Sequence, residues 1–407
     1  MKMLHTSDWH LGQNFMNNDR ESEHQLALDW MIDFITHEKV DAFILAGDVF
    51  DIGNPPSYAR RLYYDFLRKL IKTSCRHIII TGGNHDSPSM LNAPAELLKA
   101  FNIHVIGAAT GDLKDEIIEL RREDGKLEMV VAAVPFLRER DLHYSIAGES
   151  GVEQARHLRK AIVEHYQALG QLVEPYKKEN VPLLATGHLY AAGATASAKQ
   201  DNIYIGNIEN IGATEFPPVF DYIALGHIHR PQHIGKQIPI RYSGSIIPLS
   251  FSEIKDQKSV VMLTFAGNKL QQTEVVNIPL FRALKSIKGD LKKIREQLRK
   301  LDQETAEILP SWVEVIVESD EITPRLDMDI REFAKEMNLE ILRVKIQRTQ
   351  TSLEFGLEET VELDDLDELD VFKKKCEGFG IPESEMQGYV DSFLELRDWM
   401  NEREEGN

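Results

Sequence analysis

The chain has 407 residues, 42% hydrophobic and 28% charged, enough to bury a sizeable core over two or three domains of a globular protein. Its formal charge of −19 argues, on its face, against a nucleic-acid partner, but residues 351–407 hold 18 acidic against 5 basic side chains, a net of −13, which leaves −6 for the first 350. No apolar run approaches the roughly 20 residues of a membrane span, the N-terminus lacks a signal-like apolar region, and Cys75 and Cys376 make neither a metal nor a disulfide spacing, so a reducing cytoplasm and no membrane partner are expected.

In chain order, Met3-Leu4 opens a short strand that runs into Thr6-Ser7-Asp8. Leu26, Trp30, Ile32 and Ile35 then recur at near-helical spacing. AFILAGD (42–48) is β-rich, and Ser57 reads as the N-cap of a helix reaching Ile71. The apolar run His77–Ile80 reads as a buried strand that leaves through TGGNHDSP (81–88). MVVAAVP (129–135), a helix at about 152–169, PLLATGH (182–188), YIALGH (222–227), IRYSGS (240–245) and VVMLTF (260–265) continue the alternation. Strands alternating with helices imply a layered α/β domain, placed at 1–275. Helix, strand, helix and strand patterns within 285–348 suggest a small α/β cap, placed at 280–348. The acidic run EETVELDDLDELD (358–370) reads as a linker or solvated surface. Met386, Val390, Phe393, Leu394, Trp399 and Met400 stripe one face of a final helix. That helix packs on its own domain or docks on a partner, and 358–407 is set apart as a helical tail.

The strand ends share one chemistry. They deliver Asp8-Trp9-His10, Gly47-Asp48-Val49-Phe50-Asp51, Gly83-Asn84-His85-Asp86, Gly187-His188 and Gly226-His227-Ile228-His229. Each fragment is weak alone; five in order, each after a β-run, are expected to converge on one sheet edge, where α/β proteins bind ligands. Carboxylate, amide and imidazole suit Mn²⁺, Fe, Zn²⁺ or Mg²⁺, and the lack of cysteine excludes a structural thiolate zinc site. The donors outnumber the needs of one ion, and two ions sharing an aspartate would absorb them all.

In that order DWH, GDVFD, GNHD, GH and GHIH resemble the calcineurin-like metallophosphoesterase superfamily. HTSDWHLGQNF, AGDVFDIGNPPSYAR, GNHDS, ATGHL, DNIYIG and DYIALGHIHRPQ are similar, more narrowly, to the Mre-type double-strand-break nucleases. The resemblance is strong over 1–265, agrees in layout over the cap and is loose over the last 60 residues. It implies a β-sandwich flanked by helices, with a small α/β cap and a helical tail. It implies one divalent ion, most simply Mn²⁺, on Asp8, His10, Asp48 and His229, and a second on Asp48, Asn84, His188 and His227. His85 resembles the family's non-ligand histidine that faces the phosphate. Asp86 is paired with it, either orienting its ring or capping the turn. The implied activity is 3′→5′ exonuclease action on double-stranded DNA with endonuclease cleavage at hairpins and blocked ends. The implied partner is a long coiled-coil ATPase in a dimer of heterodimers, since this chain has no P-loop of its own. The alternative reading is a phosphoesterase for nucleotides or cyclic nucleotides. Arg60, Arg61 and Arg230 follow motif loops and are candidates to meet DNA phosphates. Asp51 reads as outer support or a turn former.

Overall fold

Two six-stranded sheets form where the apolar runs lie, and their central strands are buried on both faces, as parallel strands require. The computed structural model describes residues 1–142, 151–191, 194, 211–235, 238–304, 308–319 and 325–347, and further on Cys376, Met386, Gly388–Val390 and Phe393. The chain divides into two compact units, Met1–Arg348 and Thr349–Asn407. The first sheet runs, edge to edge, Lys269–Asn277, Ser259–Ala266, Lys2–Thr6, Ala42–Ala46, His77–Thr81 and Ile103–Ile106. The last four of these are parallel. The second runs Gln232–Ile234, Ile240–Tyr242, Tyr222–Gly226, Leu183–His188, Leu127–Ala132 and Ile117–Arg121, with a parallel centre.

Alternation along each strand builds four layers. Met3, Ile44 and Ile79 of the first sheet meet Val131, Leu184 and Ala224 of the second in a common core. On the opposite face of the first sheet, Leu4, Phe43 and Ile80 pack under the helices Glu21–Glu38 and Ser57–Leu70 through Met31, Ile35 and Phe66. Val130, Leu183 and Ile223 pack under the helix Gly151–Val173 through Tyr166 and Leu169. The result is the helix-flanked β-sandwich expected from the sequence. Among the described residues no helix is long and apolar enough to cross a membrane.

Three details differ from the sequence reading. The strand Lys269–Asn277 is an edge with half or more of its residues exposed, so it lacks the apolar pattern by which strands are recognised. The strand Leu284–Gly289 hides behind Lys285, Ser286 and Lys288 and makes the small unit β-α-β-α-β rather than four elements. Ser57 is the first residue of its helix; Pro56 stands at the cap with extended backbone and no side-chain cap bond. The linker 358–370, Leu394, Trp399 and Met400 lie outside the described residues.

The small unit places Leu284–Gly289, Ser311–Glu318 and Leu339–Gln347 in a parallel sheet. Helices Leu291–Gln303 and Leu326–Ala334 cover it around Ile294, Leu298, Val315 and Ile330. A buried joint ties it to the sandwich. Arg20 grips the Glu23 carboxylate with two bonds of 2.8 and 2.6 Å, and Arg282 reaches the same carboxylate at 3.2 Å. Both guanidinium groups lie over Trp312, which stacks on Phe15. Removing one partner of a buried ion pair strands the others in low dielectric. Glu23→Ala is therefore expected to lose about 3–5 kcal/mol, read as a lower midpoint of urea unfolding.

Candidate metal centre

Strand register brings the motif loops level. Thr6 pairs with Leu45, Ala46 with Thr81, and Gly226 with His188. Beyond the strand ends the ladder continues: Asp8 N–H donates to Gly47 O, His10 N–H to Asp48 O and Leu11 N–H to Val49 O, at 3.0–3.1 Å. Trp9 faces away from the site; its buried ring packs edge-on against Phe66 and its Nε1 donates to Thr6 Oγ1. That anchor turns Asp8 and His10 the other way. Asp8 (φ 52°), His10 (47°), Asp48 (50°) and His227 (95°) all sit in the left-handed region, at a cost of order 1–3 kcal/mol each that clusters at functional sites. Glycine is required twice for close approach. A Cβ on Gly83 would lie 2.1 Å from Asp48 Oδ1, and one on Gly47 (φ 81°) 2.1 Å from His188 Nδ1.

The motif residues meet, but not at the edge of one sheet. Asp8, His10, Asp48 and Asn84 follow strands of the first sheet; His188, His227 and His229 come from the second. The site closes across the ends of the sandwich. Donor atoms of Asp8, His10 and His229 lie within 4.8 Å of one another, as do those of Asp8, Asp48 and His188. His188 Nε2 is 3.1 Å from Asp48 Oδ2 and 3.0 Å from Asn84 Oδ1, and His227 Nδ1 is 3.0 Å from the same amide oxygen. His10 Nε2 stands 3.4 Å from Asp48 Oδ2. Asp48 thus touches both groups. The outer nitrogens fix the tautomers: His188 Nδ1–H donates to Ala46 O at 3.0 Å, and His10 Nδ1 lies 3.0 Å from Asp51 Oδ1.

Electrostatics favour positive charge at this point. Burial opposes a charge on His10, but its bond to Asp51 and the nearby Asp48 and Asp8 raise its pKa to about 9. Burial likewise opposes a charge on His188, and Asp48 and Asp8 overcome it, again to about 9. His227 goes the other way, lowered to about 3 by burial and by the charge on His188. Protons on two histidines answer what the buried carboxylates demand, and divalent cations would displace them. His10 Nε2 is buried and makes no hydrogen bond among the described residues. Orphaned imidazole, converging oxygens and a shared carboxylate fit a pair of such cations. A cleft of about 380 Å³ opens onto them, floored by His10, Asp48, His85 and His229 and walled by Phe15 and Met16.

His85 lies on that cleft. Its N–H donates to Asp48 Oδ1 at 3.0 Å, and its Nδ1 donates to Asp51 O at 2.7 Å. Asp86 does not orient it. The Asp86 carboxylate accepts from the N–H groups of Gly83, Val49 and Phe50 at 2.8–3.1 Å and so clamps two motif loops together, which is the turn-capping alternative of the sequence reading and not the orientation of the His85 ring. Arg61 pairs with Glu21, Arg230 with Asp256, and Arg60 bonds Ser57. Sequence reasoning missed two supports. Arg138 donates to Gly83 O and Asp86 O, at either end of the Asn84-His85 turn. Glu253, fully buried, faces His229 Nδ1 at 3.3 Å. Neither carries a local pattern that announces its target.

Two donor groups sharing one buried aspartate suit the paired cations of a phosphoesterase. The chain belongs to the calcineurin-like phosphoesterase family, whose family model matches residues 1–231. A second family model, described as the type 5 capsule protein repressor C-terminal domain, matches residues 280–378. The kinship narrows further, to proteins named as the SbcD component of the SbcCD nuclease. That of Escherichia coli K12 is 39% identical over 388 residues, 95% of each chain. That of Rhodobacter capsulatus is 37% identical over 66% of this chain and 67% of its own. That of Bacillus subtilis is 33% identical over 65% and 66%.

The Asp86 clamp has a measurable consequence. Asp86→Ala leaves three buried N–H groups without an acceptor, at about 1–3 kcal/mol each. Its thermal melting temperature is expected to fall, and Mn²⁺ binding to weaken with it.

Proposed function

We propose that this chain is the nuclease subunit of a DNA-end-processing complex, a dimetal phosphodiesterase driven by an SbcC-type coiled-coil ATPase. It degrades double-stranded DNA from 3′ ends and cuts hairpins and blocked ends, in DNA repair, replication and recombination in the cytoplasm. The observation that carries this reading is the convergence of Asp8, His10, Asp48, Asn84, His188, His227 and His229 at the ends of both sheets, in a chain similar over 95% of its length to an SbcD nuclease component.

Asp8, His10, Asp48 and His229 would hold one divalent cation and Asp48, Asn84, His188 and His227 the other, with Mn²⁺ the ion that the family resemblance favours among those this donor set suits. Bound there, the pair supplies Lewis acidity that lowers the pKa of water and neutralises phosphate charge. Asp48 serves both positions because an anion offsets repulsion between them, and neutral Asn84 keeps the centre net positive. The His85 Nδ1–H is committed to Asp51 O. Its Nε2 is left to face the phosphate, where as an imidazolium it protonates the departing sugar oxygen.

Residues 1–275 form the nuclease domain and 280–348 a cap that meets the duplex backbone. The helix Leu291–Gln303 offers exposed Lys292, Lys293, Arg295, Arg299 and Lys300 for that contact. The segment 358–407 docks on the ATPase, and two such chains pair within a heterotetramer.

Blunt and hairpin duplexes, with and without Mn²⁺ and the ATPase, test the reading directly. Hydrolysis of a chromogenic phosphodiester with intact DNA would point instead to a small-substrate phosphoesterase. His85→Ala is expected to retain both Mn²⁺ ions by calorimetry while nuclease turnover falls about 10²–10⁴-fold, the usual weight of general acid catalysis. Deleting residues 380–407 is expected to preserve basal Mn²⁺-dependent cleavage and to abolish co-purification with the ATPase; unimpaired co-purification would refute the docking role.

A further inference from the structure

Lysine is rarely buried without a reason, and Lys258 is 3% exposed. Its Nζ donates to Glu253 Oε2 at 2.6 Å and to the carbonyl oxygen of His229 at 3.0 Å. Glu253 in turn ends the short turn Phe251–Glu253 with its side chain directed inward, 1% exposed. Oε2 also accepts the Leu249 N–H at 3.1 Å, while Oε1 lies 3.2 Å from Ser250 Oγ and 3.3 Å from His229 Nδ1. The His229 carbonyl accepts a further bond, from Ser245 N–H at 3.2 Å. One histidine is therefore held at its ring by the carboxylate and at its backbone by the lysine that neutralises that carboxylate.

We propose that Glu253, backed by Lys258, is a positioning residue for the metal centre. It holds the proton of His229 on Nδ1, so that Nε2 presents its lone pair toward Asp8 and His10. The proposal rests on the dimetal reading above. Its logic is that of outer carboxylates behind ligating histidines, which fix tautomer and ring angle and raise ligand basicity. Asp51 stands behind His10 in the same way, at 3.0 Å, whereas a backbone carbonyl stands behind His188.

The surrounding donors explain why the residue is a carboxylate. Lys258 Nζ and Leu249 N–H can only donate, and both point at Oε2. A glutamine must give them its single oxygen, which turns its NH₂ toward His229 Nδ1. The ring then accepts there, and its proton moves to Nε2, facing the site a cation needs. E253Q thus keeps size and shape while selecting the wrong tautomer. An ordinary core ion pair would not behave this way; replacing such a pair with apolar residues is often neutral or stabilising.

The test is calorimetric titration of the full chain with Mn²⁺, alongside electron paramagnetic resonance of the bound ions. The parent is expected to take two ions. E253Q, and separately the double variant E253Q/K258M, should bind one of them about 10–100-fold more weakly and lose the resonance of a coupled pair. The double variant keeps an acceptor for the Leu249 N–H and strands no buried charge, so it should melt close to the parent when no metal is added, which separates positioning from a folding defect of E253Q. Two ions at parental affinity in both variants would overturn the proposal and leave the dimetal reading standing. A parent that takes up no Mn²⁺ would remove that reading, and this inference with it.

Discussion

Asp8 and Asp48 are buried side by side, at 0% and 1% exposure, and the chemistry of the centre follows from that. Two carboxylates about 5 Å apart at an effective dielectric near 20 repel by about 3 kcal/mol, before the cost of removing each from water. Both stay ionised only with compensating positive charge or hydrogen-bond donors beside them. The structure supplies it from the imidazoles of His10 and His188, both raised to about 9. The strained backbone at Asp8, His10, Asp48 and His227 has the same origin. The parallel ladder runs on past the strand ends to pin those turns, and the sandwich core on both sides keeps them from relaxing.

Around the charged centre lies a shell of groups that touch the converging donors or the loops carrying them. Asp86 ties the Gly83 turn to Val49 and Phe50. Arg138 takes the carbonyls at both ends of the Asn84-His85 turn. Asp51 receives His10 on its side chain and His85 on its carbonyl. These contacts leave His85, like Asn84, half-buried, while Gly83 and Asp86 on either side are buried. Rigidity around the converging donors and access at one imidazole are both served by short polar turns held through these bonds.

The sandwich and the seven donors were legible because each lies where local pattern and chemistry coincide. A β-branched or apolar run, a glycine, then Asp, Asn or His can be read without knowing the fold. What the sequence hid was which sheet each run joins. Leu183–His188 and Tyr222–Gly226 look like Ala42–Ala46 and His77–Thr81, yet they form the opposite sheet. For Asp86 the sequence left two roles open, and the capping one holds because its carboxylate turns back to the Gly83 N–H. Glu253 and Arg138 were invisible for a deeper reason. Glu253 lies 24 residues from His229 and Arg138 55 from Gly83, so only tertiary packing gives them a function. The edge strands Lys269–Asn277 and Leu284–Gly289 carry lysines and polar groups, the composition that protects a sheet edge and conceals it from pattern reading.

The remaining tension is between an acidic chain and a polyanionic substrate. Net charge acts over distance, and distance is limited by salt: the screening length is about 8 Å at physiological ionic strength. The 18 acidic residues beyond position 350 therefore repel DNA only where the tail comes within reach of it. Binding is governed by local fields, and the exposed face of Leu291–Gln303 offers five cationic side chains against two exposed carboxylates, Glu296 and Asp302. At the centre itself, two divalent cations would add four positive charges beside Asp8 and Asp48, turning the most acidic point of the cleft into its most attractive one for phosphate. Two divalent cations there would give an acidic protein a local attraction for the DNA backbone that its net charge does not provide.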